Sequence, residues 1–226
     1  MCGRFDRHRP VADFAGLVDG LMLDGSEPLA PSYNIAPSQS AVTVCASDAG
    51  PRVRVLQWGL APEWAKSQKI PRPINARAET LAQKPMFREA FRSGRCLVLC
   101  DGYYEWQTRS DGTKQPFHIA LADAGPFFLA GLWARNTMLS EEPLTSFCII
   151  TTIASESCRA IHPRMPAILD HDHHHRWLGT SPLTPDTAGA MLGPSKKPMR
   201  LTAVSRFVNN PANNDSQCIA LAASPE

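Results

Sequence analysis

Proline is the residue that most limits what this chain can become. Twenty prolines stand in 226 residues, close to twice the usual share of about 5%. Each fixes φ and lacks an N–H, so it ends helices and is shut out of central strands. They fall mainly between short apolar runs, which predicts stiff loops joining short elements. Val42–Cys45, Val53–Trp58, Cys96–Cys100, Phe117–Leu121, Phe127–Leu132, Phe147–Ile153 and Ala167–Leu169 read as strands. The Asp-Gly pair within Ser110–Thr113 predicts a hairpin between Tyr103–Gln107 and Phe117–Leu121. Helical spacing is confined to Val11–Leu21, Lys84–Arg92, Ser155–Ile161, Asp172–Leu178 and Ala188–Leu192, with Ser155 as the N-cap of the third. No repeat or low-complexity linker divides the chain. The expected fold class is α+β: one compact β-rich domain over residues 1–226, made of short, mostly antiparallel strands with a few peripheral helices and a frayed tail at 216–226.

A 43% hydrophobic and 19% charged composition excludes wholesale disorder. No apolar run approaches the ~18 residues of a membrane span, and no apolar signal core opens the chain. The expectation is a cytoplasmic protein without a membrane partner. The net charge of +2 conceals an uneven distribution. Residues 52–95 hold ten basic side chains against three acidic ones, and the same segment carries Trp58, Trp64, Phe87 and Phe91. Cations interleaved with aromatics suit a single-stranded nucleic acid, whose phosphates need charge and whose bases stack. The seven cysteines are odd in number and read as free thiols of a reducing compartment, with Cys96, Cys100 and Cys148 as small buried hydrophobes.

Cys2 stands apart because of its position. Removal of Met1, which small second residues permit, leaves an α-amine and a β-thiol on one residue. The amine's pKa of about 7.7–8.0 keeps a useful fraction neutral near pH 7. It can attack an aldehyde to form an imine, and the thiol can then close a five-membered thiazolidine.

Several further segments surround this feature with chemistry: Met1-Cys2-Gly3-Arg4-Phe5, Tyr33-Asn34-Ile35-Ala36-Pro37, Trp58-Gly59-Leu60-Ala61-Pro62, Trp64-Ala65-Lys66, Ile74-Asn75-Ala76-Arg77-Ala78-Glu79-Thr80, Asp101-Gly102-Tyr103-Tyr104-Glu105-Trp106 and His162-Pro163-Arg164-Met165-Pro166. In this order, and over residues 2 to about 215, the chain resembles the SRAP (SOS response-associated peptidase) family, whose members act on abasic sites in DNA. Asn209-Asn210 and Asn213–Asp215 resemble the family's closing segment. The resemblance implies Cys2 as nucleophile with Asn75, Glu105 and His162 as its catalytic partners. It implies Arg4, Arg77 and Arg164 as phosphate-holding residues, and Trp64, Pro37 and Trp106 as residues that contact or wedge bases. Cys100 departs from the pattern, which has a small Ala there. The His-rich run at 171–175 is also foreign to it, and reads as a solvated helix face rather than a metal site.

The residue types fit those roles. An abasic deoxyribose reacts only as the open aldehyde, and ring opening needs one proton delivered and one removed, work suited to Glu105 and His162. An ionised Glu105 would also stabilise an iminium cation. Asn75 both donates and accepts without carrying charge. The expectation is therefore a cofactor-free, metal-free monomer that senses abasic sites in single-stranded DNA, forms a covalent thiazolidine crosslink through Cys2, and associates with the nucleoid on damage. A lyase side activity and autoproteolytic release of Met1 belong to the same expectation. The alternatives are an N-terminal-nucleophile cysteine peptidase and a non-covalent single-strand binding module.

Overall fold

A computed structural model describes residues 2–23 and 30–222. Met1, whose removal the sequence suggests, and residues 223–226 of the expected frayed tail lie outside the described residues. In chain order the strands are β1 (Phe5–Arg7), β2 (Ser32–Ile35), β3 (Ser40–Cys45), β4 (Arg52–Trp58), β5 (Asn75–Arg77), β6 (Arg95–Cys100), β7 (Gly102–Thr108), β8 (Lys114–Leu121), β9 (Phe127–Asn136), β10 (Leu144–Ile153), β11 (Arg164–Pro166), β12 (Ile168–Leu169) and β13 (Met199–Ala203). The helices are α1 (Ala12–Ala15), α2 (Arg88–Ser93), α3 (Glu156–Arg159), α4 (His171–Leu178) and α5 (Pro185–Met191), with 3₁₀ turns at Arg206–Asn209 and Ser216–Ile219. The α+β reading holds.

Five strands close on themselves in the order β10-β4-β3-β6-β9, because β9 and β10 also pair. A second sheet, β13-β8-β7-β1-β2, covers one face of this ring. Alternation along the strands divides the core. Val98 and Cys100 of β6, Leu129 of β9 and Ile149 of β10 pack with Cys2, Phe5, Tyr103 and Ile119 beneath the covering sheet. Leu97, Leu99, Ala130 and Ile150 point the other way, toward Phe14, Phe91, Trp177 and Leu178 of the helical side. Both faces of the ring are thus covered, which is why β6 is buried at every position and reads as an unbroken apolar run.

Two buried polar networks fix this arrangement. Arg95 is 3% exposed, and its guanidinium donates to the carbonyls of Phe91, Arg92, Trp177, Gly179 and Ser181. It ties α2 and the end of α4 to the start of β6 without an acidic partner among the described residues. Asp6 is fully buried. One carboxylate oxygen meets His118 Nε2 at 2.9 Å and the other meets His8 Nδ1 at 2.7 Å. Asp101 accepts the backbone N–H groups of His8 and Arg9 and ion-pairs with the Arg9 side chain at 2.8 Å. Gly102 is required here, since a Cβ would overlap the His118 ring.

Several expectations are corrected. The helix read over Val11–Leu21 shortens to Ala12–Ala15, with turns running on to Gly20 at φ +69°. Ser155 precedes α3 but its side chain makes no capping bond. The histidine run is not uniformly solvated: His171 and His175 are exposed, but His174 is 5% exposed and its ring nitrogens meet the carbonyls of Leu17 and Leu169. The tail is ordered through 222: Cys218 is fully buried, and Leu221 bridges to Val204.

Burial alone would raise the Asp6 carboxyl, but His118 and His8 hold it below its usual range. The hydrogen bond to Asp6 in turn raises the His8 pKa. Replacing Asp6 by Asn is expected to lower the unfolding free energy at neutral pH by about 3 kcal/mol, read from urea midpoints. A lowered folded pKa gives a contribution present above about pH 4 and lost as the pH falls through the folded value. His8 acts with the opposite sign: its share is full below about pH 6.5 and fades as the pH rises through its folded value. The wild-type and Asp6→Asn midpoints should therefore converge in acid. A gap that persists in strong acid would mean that Asp6 acts through packing alone.

Candidate active site

The chain segment leading into β1 carries Cys2 into the core between the ring and the covering sheet. It is held there by the Tyr104 N–H, which donates to the Arg4 carbonyl at 2.9 Å. Cys2 has no exposed surface, and its thiol points to the Arg4 carbonyl at 3.9 Å. Burial pushes that thiol far above its usual pKa, and the nearby Glu105 charge adds to the effect. A neutral thiol is the stable form here. Cys100, the departure from the family pattern, is also fully buried and donates to the Gly102 carbonyl at 3.2 Å.

Asn75 opens β5, which runs parallel to β10 with Asn75 opposite Ile149 and Arg77 opposite Thr151. Period-two alternation then puts Asn75 and Arg77 on one face and Ala76 on the other. The Asn75 Nδ2 donates to the Cys2 carbonyl at 2.8 Å. Its Oδ1 is buried and accepts no hydrogen bond among the described residues.

Glu105 lies on β7 opposite Phe117 and is 4% exposed. Burial raises its pKa, while the neighbouring His162 pulls it back. His162 follows α3. The Arg164 N–H donates to its Nδ1 at 3.0 Å, which assigns Nδ1 as acceptor and leaves the ring hydrogen on Nε2. The Arg164 carbonyl lies 3.1 Å from the same nitrogen. Beside Cys2 there are thus a neutral amide and a carboxyl of raised pKa, and next to that carboxyl an imidazole. Side chains of these types can orient a neighbouring group and exchange protons with it.

The three arginines singled out in the sequence differ in how they are engaged. Arg4 donates to Asn34 Oδ1 at 2.8 Å and to the Val208 carbonyl at 3.1 Å, and its guanidinium lies 5.8 Å from the Trp106 ring centre. Arg77 is exposed. Arg164 forms a two-pronged pair with Glu79, at 2.6 and 3.0 Å, and donates to the Thr151 carbonyl at 2.6 Å. The Trp106 indole donates to Asn209 Oδ1 at 2.8 Å. Pro37 is exposed between β2 and β3. Trp64 is 47% exposed and lines a hollow of about 390 Å³ with Pro85, Met86, Glu89 and Trp133. The basic segment is not wholly a surface feature, because Arg95 belongs to the core.

Sequence reasoning missed Asn34 as a structural centre. Its Nδ2 donates to the carbonyls of Val208, Asn210 and Asn213, while Asn214 Oδ1 accepts from the backbone of Tyr33 and Asn34. This stitches the asparagine-rich closing segment to β2, behind Arg4. The signal was present as two Asn-bearing motifs, but their pairing needed the fold.

Comparison with known proteins places this geometry. The family model described as SOS response associated peptidase (SRAP) matches residues 1–211. The abasic site processing protein YoaM of Bacillus subtilis is 38% identical over 224 residues, covering 97% of each chain. The abasic site processing protein YedK of Escherichia coli is 32% identical over 182 residues, 79% of each chain. A crystal structure of a Bacteroides thetaiotaomicron protein is similar with a TM-score of 0.85 and 28% identity, covering 98% of this chain and 100% of that one. Family pattern and fold agree along almost the entire sequence, and the chain belongs to the SRAP family.

Proposed function

We propose that this protein processes abasic sites in single-stranded DNA by capturing them covalently on Cys2. The observation that carries this reading is a fully buried Cys2 that Asn75 holds by a hydrogen bond, with Glu105 acting on its thiol and His162 acting on Glu105. The names of its relatives in Bacillus subtilis and Escherichia coli support it.

In this reading Met1 is removed and the Cys2 amine attacks C1′ of the ring-opened deoxyribose. Water leaves, its oxygen coming from the aldehyde, and a C=N bond forms. The thiol then adds across that bond: sulfur bonds to carbon and the thiol hydrogen ends on nitrogen. The raised thiol pKa suits this order, since a neutral thiol does not compete with the amine for the aldehyde. It also speaks against a resting thiolate of the kind a cysteine peptidase uses. Glu105 and His162 exchange the protons needed for ring opening and dehydration, and ionised Glu105 stabilises the iminium. Asn75 holds the Cys2 backbone and offers Oδ1 to the sugar hydroxyls. Arg4, Arg77 and Arg164 serve the flanking phosphates, and Pro37, Trp64 and Trp106 the neighbouring bases. A strand-cleaving side reaction follows from the same imine, which acidifies the hydrogen on the adjacent carbon.

Intact mass spectrometry after mixing with a single strand bearing one abasic site tests this reading. The expected species is the chain without Met1, plus the DNA, minus one water. Cys2→Ala should form no denaturation-resistant species. Such a species from the Ala variant, or peptide turnover that needs Cys2 and ignores DNA, would overturn it. Glu105→Gln is expected to slow adduct formation by about 100-fold while leaving the affinity for an intact strand unchanged. Equal slowing of capture and loss of strand binding would make Glu105 a structural residue.

A further inference from the structure

Glu79 closes the Asn-Ala-Arg-Ala-Glu segment that begins with Asn75, and no role follows for it from the chemistry above. Its carboxylate is 47% exposed, yet both oxygens are held by the Arg164 fork, at 2.6 and 3.0 Å. A carboxylate and a phosphate offer the same planar guanidinium the same two-oxygen edge. The Glu79 carboxylate therefore fills the donor fork that a phosphate could use. Arg164 does not depend on Glu79 for its position: it is 16% exposed and is anchored independently on the Thr151 carbonyl at 2.6 Å. Arg77, opposite Thr151 on β5, brings a second cation to the same patch and lowers the Glu79 pKa alongside Arg164.

We infer that Glu79 is a specificity-determining residue that occupies the Arg164 fork as an internal stand-in for phosphate. An undamaged strand must displace it to gain the Arg164 contact, so intact DNA is held weakly and released. A strand carrying an aldehyde is retained through its covalent bond and does not depend on that contact. The inference rests on the proposed capture of single-stranded DNA. Glu79 sets the contrast between damaged and undamaged strands, and Cys2 supplies the bond.

The test uses the full chain and a fluorescein-labelled oligothymidine without abasic sites, followed by anisotropy across a salt series. Glu79→Gln keeps the size and exposure of the side chain. It is expected to bind the intact strand about threefold to tenfold more tightly than wild type at low salt. The slope of log K against log salt should steepen by about 0.7, the signature of one more phosphate contact on a single strand. In the double variant Glu79→Gln/Arg164→Gln both changes should vanish. In a second measurement, adduct formation on an abasic strand is followed against excess intact competitor. Glu79→Gln should be inhibited at proportionately lower competitor, while its yield without competitor stays at the wild-type level. An unchanged affinity and slope in Glu79→Gln would overturn the inference, and so would a gain that survives loss of Arg164. If the proposed capture itself is wrong, no adduct forms on the abasic strand in any variant, whatever the anisotropy shows, so the two failures are separable.

Discussion

Burying the second residue of a chain is the constraint around which the rest is organised. A buried segment outside the helices and strands carries backbone groups without regular partners, and such groups are stable inside a protein only when each finds one. Cys2 meets this condition through long-range contacts. Its carbonyl accepts from Asn75, far along the chain. The next turn of backbone is pinned by Tyr104 on the covering sheet. Glu105, whose carboxyl is forced upward by burial, acts in turn on the Cys2 thiol. The groups that make this buried segment tolerable are the same ones that surround the thiol.

Strand β10 is what brings them within reach. Thr151 is paired with Arg77 of β5 on one edge and with Pro166 of β11 on the other. Two segments separated by little more than a third of the chain, one ending in Glu79 and one beginning with His162, therefore flank a single residue. β5 and β11 hold three residues each. Neither is long enough to be stable as a strand alone; they are strands because β10 templates them.

That dependence explains what could be read from the sequence. The long apolar runs that become β3, β4, β6, β8, β9 and β10 announce themselves, because burial on both faces or clean alternation leaves a compositional trace. β1, β2, β5, β11 and β13 leave almost none, since their registers are set by partners remote in sequence. The candidate site residues were legible for a different reason: Cys2, Asn75, Glu105 and His162 sit in short motifs that resemble those of the SRAP family, so they could be named without knowing the strands beneath them. The reading failed where local pattern and tertiary contact diverge. Nothing in a run of histidines tells that His174 alone would pack inward against the Phe128 ring. Nor could composition foretell that Arg95 would leave the basic surface for the core, or that the tail would be ordered by Asn34 and the Cys218 pocket.

The stitching of Asn34 to residues 208–213 has a consequence for truncation. The wall behind Arg4 is built from a segment that lies 174 or more positions further along the chain than Asn34. A chain cut before Val208 would strip Asn34 Nδ2 of its three carbonyl acceptors and the Arg4 guanidinium of one of its own. Damage to the closing segment would thereby be felt at the segment that carries Cys2 into the core.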